Sequence, residues 1–262
     1  MWTATIWVKT LSAISPDFRA PKYLFPMPSS LSFDAVLFDC DGVLVDSEPI
    51  THHVLRAMLA ARGWAMTPEE CMDIFLGNAV KDKKDLIEQR TGQPLTEAWM
   101  EQFRAERNAM LERDLLAIPN IHAAVQALHT ALGGQIACAS GADRFKVELQ
   151  LQKVDLMPYF AGRIFSGHEM PRSKPFPDVY LAAAAALGVD PKRCAVVEDT
   201  VTGVTAGVAA GATVFGYSPA AMGHGTPAAL RGAGAAVIFT DMAQLPAVRE
   251  SHPLVAAPEP TP

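Results

Sequence analysis

The chain has 262 residues, of which 50% are hydrophobic and 19% are charged, and its formal net charge is -6. This composition can form a sizeable core, and an acidic chain without a dense Lys/Arg run is not expected to bind nucleic acid. No apolar segment reaches the roughly 18 residues of a transmembrane helix. The four cysteines form no CxxC pair, which is typical of free thiols in a reducing compartment. We therefore expect a cytoplasmic protein without a membrane partner, and the sequence leaves its oligomeric state open.

Periodic patterns begin only after residue 33, so we interpret residues 1–33 as an N-terminal extension and the Pro-rich residues 251–262 as a disordered tail. Between them, short apolar runs alternate with stretches of helical spacing. The runs predicted to be strands are 35–38, 136–139, 164–167, 195–197, 213–217 and 236–239. Strands that are apolar on both faces and separated by helices predict an α/β fold, a Rossmann-like parallel sheet wrapped by helices.

Residues 49–115 interrupt this alternation because they contain helical patterns and no strand candidate. An apolar stripe runs from Ile50 to Leu59, and TPEE at 67–70 is a capping box that begins another helix. Two further helical stretches follow before the sheet is expected to resume at 117–120. These patterns predict an α-helical cap inserted after the first strand. The predicted bounds are 49–115 for the cap, and 34–48 together with 116–250 for the α/β core.

Three predicted strands end in polar residues. These residues are Asp39 and Asp41, Ser140 and Gly141, and Glu198 and Asp199. In an open parallel sheet the carboxyl ends of the strands meet at one edge, where the ligand crevice lies. Carboxylates gathered there repel one another unless a cation lies among them, and an oxygen-rich site suits Mg²⁺. The predicted ligands are Asp39 and Asp199, with Asp41 contributing its backbone carbonyl.

These groups can act together on a phosphate ester. A carboxylate beside Mg²⁺ can attack phosphorus and form an aspartyl-phosphate, and a second carboxylate two residues on can protonate the leaving oxygen and later activate water. The phosphoryl oxygens need further hydrogen-bond donors. The predicted phosphate-binding residues are Ser140, Gly141 and Lys174, the last in the loop RSKPFPD before a predicted helix. The predicted partner is a small phosphorylated metabolite.

Four segments, FDCDGVLVDSE, CASG, SKPFPDVYL and VVEDTVTGVTAG, occur in this order and resemble the four motifs of the haloacid dehalogenase superfamily. With a cap after the first motif, the chain resembles the phosphatase and β-phosphoglucomutase-like branch over about residues 34–248. The resemblance implies that Asp39 is the nucleophile and Asp41 the general acid/base. It also implies that Asp199 completes the Mg²⁺ site, with Glu198 beside it, and that the cap opens and closes over the substrate.

Several reactions occur in this superfamily. Its dehalogenases and its phosphonate-cleaving members lack the second aspartate, so Asp41 argues against both. The alternative is a β-phosphoglucomutase-like hexose-phosphate mutase, but such relatives carry a histidine where this chain has Thr51 and an arginine where it has Val80. His52 is one residue away, a rotation of about 100° on a helix. Hydrolysis needs neither residue, so we predict a phosphatase. A non-catalytic relative would be expected to have lost Asp39, Asp41 or Lys174.

The sequence also predicts roles for several further polar and glycine positions. Ser47 is predicted to cap the first cap helix, and His52 and His53 to lie on its exposed face. We interpret Cys40 as a packing residue, and Asn78 as a candidate substrate contact. Val201, Val204 and Val208 predict the buried face of a helix, whose glycines allow close packing on the sheet; these are Gly203, Gly207 and Gly211. The substrate is expected to be a sugar phosphate, a sugar-acid phosphate or phosphoglycolate.

Overall fold

One six-stranded parallel sheet forms the centre of the core. The computed structural model describes residues 33–77, 79–219 and 225–252, so residues 1–32 and 253–262 of the predicted terminal segments lie outside the described residues. The strands are β1 (Ala35–Phe38), β2 (Ile136–Ser140), β3 (Ile164–Ser166), β4 (Cys194–Glu198), β5 (Thr213–Tyr217) and β6 (Val237–Phe239). Their order in the sheet is β3-β2-β1-β4-β5-β6. Each predicted strand is confirmed to within one residue at either end.

Four helices lie between β1 and the next core helix, and they form the cap. These are α1 (Glu48–Ala60), α2 (Pro68–Phe75), α3 (Lys84–Thr91) and α4 (Glu97–Asp114), with a 3-10 helix at Val80–Lys83. The core helices are α5 (Ile121–Ala131), α6 (Arg144–Lys153), α7 (Met157–Phe160), α8 (Asp178–Leu187), α9 (Val201–Ala209), α10 (Pro227–Gly232) and α11 (Leu245–Ser251). Shorter 3-10 helices occur at Gly167–Glu169, Pro191–Arg193 and Met242–Gln244. The predicted α/β sheet with an inserted helical cap is confirmed.

The two faces of the sheet are both buried because successive side chains of each strand point in opposite directions. Val36 and Phe38 belong to the cluster that α5, α6, α7 and α11 cover. Ala35 and Leu37 belong to a second cluster, on the side of α8 and α9. The small side chains of α8, five of them alanine in sequence, let this helix approach the sheet closely.

The buried face of α9 differs from the prediction. Val204 is buried, but Val201 and Val208 are 44% and 42% exposed. The helix faces the sheet instead with its small residues, because a Cβ at Gly207 would lie only 2.8 Å from the Val214 side chain. Close packing therefore requires glycine there, as expected, and it turns the two outer valines toward the surface.

The cap has its own apolar cluster. Leu55, Phe75, Ile87 and Phe103 are among its buried members, one from each cap helix. The predicted capping box at the start of α2 is confirmed. Thr67 Oγ1 accepts a hydrogen bond from the backbone N–H of Glu70, and the Glu70 carboxylate accepts one from the N–H of Thr67.

The two chain segments that join the cap to the core lie side by side. The N–H of Asp46 donates to the carbonyl of Leu116 over 3.0 Å, and the N–H of Ile118 donates to the carbonyl of Leu44 over 3.2 Å. The prediction that the sheet resumes at 117–120 is wrong: Ala117 forms only an isolated antiparallel bridge to Val45. The reason is that Val45 follows the turn after β1 and has already left the sheet.

At the start of the described chain, Phe33 packs edge-on against Phe215 with 5.4 Å between ring centroids, so this last residue of the predicted extension contributes to the core. All four cysteines are free and buried. Within residues 33–77, 79–219 and 225–252, no helix is both long and apolar enough to cross a membrane.

Candidate active site

The sheet order brings the predicted site residues together. β1 lies between β2 and β4, so the chain directly after β1 runs beside the ends of both neighbours. Asp39 follows β1, Ser140 is the last residue of β2, and Glu198 is the last residue of β4. The backbone N–H of Asp39 donates to the carbonyl of Val197 over 3.0 Å and continues the pairing with β4.

A tight turn after β1 returns the chain past Asp199. Gly42 has a φ of +75°, a conformation that residues with a Cβ rarely adopt. A Cβ at this position would also lie 2.7 Å from Cγ of Asp199. Glycine is therefore required twice, for the turn and for the close approach of the Asp199 carboxylate.

Lys174 reaches the centre of this acidic cluster from the loop before α8. Its Nζ donates to Asp39 Oδ1 over 2.7 Å and to Glu198 Oε1 over 2.6 Å. Burial alone would lower the pKa of Lys174, but the charges of Asp39 and Glu198 raise it well above the usual value. The lysine is therefore a fixed cation that touches the predicted nucleophile.

Glu198 is held by donors on both of its oxygens. Besides Lys174, Oε1 accepts a hydrogen bond from the Tyr180 hydroxyl over 2.7 Å. Oε2 accepts bonds from the backbone N–H groups of Asp199 and Thr200 and from the Thr200 hydroxyl, over 3.1 to 3.3 Å. Gly203 leaves the space that this carboxylate occupies. Glu198 thus fixes the position of Lys174.

Three carboxylates are arranged so that they could hold a metal ion. Asp39, Glu198 and Asp199 are buried, and each offers an oxygen within 4.8 Å of the others. Burial, opposed by Lys174 and reinforced by Glu198, raises the pKa of Asp39 to about 7. Burial and the neighbouring carboxylates raise the pKa of Asp199 well above its usual value. A divalent cation would relieve this repulsion, and an all-oxygen ligand set suits a hard ion such as Mg²⁺.

The carboxylate of Asp41 lies in a separate network. Its Oδ1 accepts hydrogen bonds from Lys146 Nζ and Gln150 Nε2, each over 2.7 Å, and from the Ser47 hydroxyl. Burial would raise the pKa of Asp41, but the charge and hydrogen bond of Lys146, with the bonds from Ser47 and Gln150, lower it to about 2. The predicted acid/base residue is therefore ionised in this arrangement.

The predicted capping role of Ser47 is wrong. Ser47 occupies the N-cap position of α1, but its side chain makes no capping hydrogen bond there. Its backbone has helical φ and ψ values, and its hydroxyl donates to Asp41 instead. The residue that the sequence assigned to the helix belongs to the site.

His52 is also not where the sequence placed it. It is 6% exposed, and its Nε2 lies 3.2 Å from Oε2 of Glu48, whereas His53 is exposed as predicted. Burial, with a smaller contribution from Lys146, lowers the pKa of His52 to about 4, so the ring is neutral near pH 7. Glu48 and His52 both line the cavity described below, so this side of α1 does not face open solvent.

Asp39 and Asp41 line a cavity of about 470 Å³ between the core and the cap, whereas Glu198 and Asp199 are not among its lining residues. The predicted core residues that line it are Asp39, Asp41, Ser140, Gly141 and Lys174. The cap contributes Thr51 and Val80, the two positions at which this chain departs from the mutases, and also Phe103, Arg104 and Arg107. Asn78, the candidate substrate contact, lies outside the described residues. The predicted packing role of Cys40 is confirmed, because its side chain is fully buried in the core cluster.

Among the residues of the site that the sequence did not reveal are two on α6. Lys146 and Gln150 lie one turn apart on α6, so they point the same way and together hold Asp41. The one signal for them is their i, i+4 spacing among buried apolar residues of this helix. Lysine and glutamine on a helix usually face solvent, and so this spacing alone did not single them out.

Comparison with known proteins identifies a family to which the chain is similar. Residues 33–211 match the family model of the haloacid dehalogenase-like hydrolases. The 6-phosphogluconate phosphatase of Escherichia coli (strain K12) is 32% identical over 183 residues, which cover 70% of this chain and 81% of that protein. Hexitol phosphatase B of the same strain is 33% identical over 178 residues, which cover 67% and 79%. A crystal structure of a haloacid dehalogenase family hydrolase from Deinococcus radiodurans R1, with bound phosphate and sodium, is 36% identical with a TM-score of 0.69; the match covers 83% of this chain and 95% of that one.

The chain therefore belongs to the haloacid dehalogenase-like hydrolases. This confirms the family that the four motifs indicated and the prediction that the protein is an enzyme. The two curated relatives are phosphatases, in agreement with the predicted class of phosphoric monoester hydrolases.

Proposed function

We propose that this protein is a Mg²⁺-dependent phosphatase that hydrolyses a small phosphate monoester through an aspartyl-phosphate on Asp39. The observation that carries the proposal is the contact of Asp39 with Lys174 in the wall of the cavity, with Asp41 two residues further along the chain. The substrate is a sugar phosphate, a sugar-acid phosphate or phosphoglycolate. Relatives that act as 6-phosphogluconate, hexitol and phosphoglycolate phosphatases support this range.

In the first step, an oxygen of Asp39 attacks the phosphorus atom and the ester oxygen leaves. Lys174 is positioned to contact the phosphoryl group because its ammonium already touches Asp39. Ser140 and the backbone after it, including Gly141, supply further donors. The bound phosphate in the hydrolase from Deinococcus radiodurans is consistent with such a site. Mg²⁺ held by Asp39 and Asp199, with the backbone carbonyl of Asp41, would offset the repulsion between these carboxylates and the phosphate.

Asp41 serves both steps by changing its protonation state. The ionised form, which Lys146 stabilises, is the form that activates water against the aspartyl-phosphate. To protonate the leaving oxygen in the first step, Asp41 must gain a proton, which requires its bond to Lys146 to weaken. The network around Asp41 therefore sets how readily it exchanges between the two roles.

Phosphate release from a panel of small monoesters, with Mg²⁺ and with EDTA, tests the proposal. The panel includes phosphogluconate, hexose and pentose phosphates, phosphoglycolate and nucleotides. Turnover should require Mg²⁺, and Asp39→Asn should abolish it while circular dichroism shows an intact fold. Asp114→Asn, at an exposed position paired with Arg113, is the matched control and should keep full activity. An Asp39→Asn enzyme that retains more than a few per cent of the activity would rule out this nucleophile.

The hexose-phosphate mutase stays the alternative hypothesis. A mutase would release phosphate slowly and would need a hexose bisphosphate to interconvert a hexose 1-phosphate. Absence of any such interconversion would rule out the mutase.

A cytoplasmic location also stays a prediction.

A further inference from the structure

Three cations of the cap line the same cavity. Lys81 belongs to the 3-10 helix Val80–Lys83, and Arg104 and Arg107 lie one turn apart on α4. Burial is the largest cause that lowers the pKa of His168, on the core side of the cavity, and all three cations lower it further. Their charges therefore converge on one region. The catalytic groups proposed above use none of these three cations.

Arg107 is the most buried of them, with 8% of its surface exposed. Its Nε and Nη2 donate to the side chain of the adjacent Asn108, and Nη2 also reaches Asp143 Oδ2 over 3.4 Å. Asp143 is shared between Arg107 and α6, since its other oxygen accepts a hydrogen bond from the backbone N–H of Lys146 in the first turn of that helix. Nη1 makes no hydrogen bond to any residue in the described part of the chain. A buried guanidinium thus keeps donor capacity beside the cavity.

The hydrogen-bond geometry of this wall favours a planar anion. Arg104 is already paired with Glu97, and Lys81 and Arg107 stand beside two carboxylates that also line the cavity, Asp82 and Asp143. The wall therefore carries little net charge, and a donor that it has to spare is Nη1 of Arg107. A second phosphate would bring nearly two negative charges that these groups do not balance. A carboxylate brings one negative charge and matches the planar fork of an arginine.

We propose that Arg107, assisted by Arg104 and Lys81, binds a carboxylate of the substrate, so that the preferred substrates are phosphate esters of hydroxy acids such as phosphorylated sugar acids. This inference rests on the proposed phosphatase activity and narrows its substrate class. Lys174 and Asp39 take the phosphate end of the molecule, and the cap cations take the acid end. Phosphates of uncharged sugars fit the first subsite but place no carboxylate in the second one.

A matched pair of substrates isolates the carboxylate. 6-Phosphogluconate and glucitol 6-phosphate have the same carbon chain and differ only in a carboxylate against a hydroxymethyl group. The wild-type enzyme should have the higher kcat/KM for the acid. In Arg107→Gln the ratio of the two kcat/KM values should fall about 10- to 100-fold, the amount expected for a hydrogen bond to a charged group. The fall should come mainly from a higher KM for the acid.

Arg113→Gln is the control variant on the same helix. Arg113 is exposed, pairs with Asp114 and does not line the cavity, so the ratio should stay at the wild-type value. Arg104→Gln and Lys81→Gln remove cations that are less buried and threaten the fold less. Each should lower the ratio about 2- to 5-fold, as expected for partly exposed charges.

A purely structural role makes a different prediction. If Arg107 only ties the cap to the core through Asp143, Arg107→Gln would slow both substrates equally and leave the ratio unchanged, which overturns the inference. A wild-type preference for glucitol 6-phosphate also overturns it, and so does an Arg107-dependent preference for fructose 1,6-bisphosphate over the acid. In these cases the phosphatase itself still stands. Failure to release phosphate from any monoester would overturn the proposed function instead.

Discussion

Replacing Gly203 by alanine should displace a carboxylate on which the site depends. A Cβ built at Gly203 would lie 1.7 Å from Oε1 and 1.9 Å from Cδ of Glu198, so the side chain of Glu198 would have to leave its position. Glu198 would then lose the hydrogen bonds from Lys174 and Tyr180 on one oxygen and those of the Thr200 backbone and hydroxyl on the other.

The magnitude follows from these lost bonds. In an ordinary helix a glycine-to-alanine change stabilises the protein by about 0.5–1 kcal/mol. A buried hydrogen bond to a charged group contributes about 1.5–3 kcal/mol, and the bonds from Lys174 and Tyr180 are both of this kind. The loss of these two bonds should therefore lower the free energy of unfolding by about 3–6 kcal/mol. Gly232 in α10 is the matched control, because an added Cβ there meets nothing within 4 Å.

Urea unfolding at pH 7 measures the effect in a double-mutant cycle. Gly203→Ala should be strongly destabilising, and Gly232→Ala should be neutral or stabilising by up to about 1 kcal/mol. Because the overlap requires the carboxylate, Gly203→Ala should cost less than about 1 kcal/mol when Glu198→Ala is already present. An equal cost in both backgrounds would refute the reasoning, since the clash would then lie elsewhere.

Three further changes have expected outcomes. In EDTA, Asp39→Asn should raise Tm more at pH 8 than at pH 5. The pKa of Asp39 is about 7 in the folded state, against an ordinary value of 3.8, so the folded form loses stability as pH rises between these two values. An unchanged Tm at pH 8 would contradict this. The pKa of His52 is about 4 in the folded state, against an ordinary value of 6.5, so the free energy of unfolding should rise between pH 4 and pH 6.5. His52→Gln should remove up to about 3 kcal/mol of this rise. His53→Gln, at an exposed position, should leave the slope intact; equal slopes in the two variants would refute the assignment. Thr67→Ala should cost about 1 kcal/mol in urea unfolding through loss of the capping box, and no loss would show that α2 does not depend on it.

The elements of the fold could be predicted because their signals are local. Each strand is a short apolar run between polar residues, and the capping box at Thr67 is made by side chains three residues apart. The predictions that were wrong concern residues whose burial or strand pairing depends on tertiary packing. Val201 and Val208 have helical spacing like any buried stripe, but the glycines of α9 turn them outward. Ala117 pairs only with Val45 because of the path that the chain takes after β1.

The same distinction applies to the site, where some residues could be predicted from local signals and others could not. Asp39, Ser140 and Asp199 could be placed because each follows or ends an apolar strand, and parallel strands end at one edge. Lys146 and His52 could not, since a lysine or histidine on a helix has the same sequence signature in solvent and in a cavity wall. Their roles depend on which helix faces the cavity, and the sequence does not state this.

The side-by-side arrangement of the segments around Asp46 and Leu116 has an evolutionary consequence. Because the chain leaves the core and re-enters it at one point, the intervening helices can be exchanged, lengthened or lost without shifting a strand of the sheet. The acidic residues and Lys174 stand on the part of the chain that such an exchange leaves untouched, whereas Lys81, Arg104 and Arg107 stand on the part that it replaces. A lineage of such enzymes can therefore inherit its chemistry and acquire new substrates by separate events.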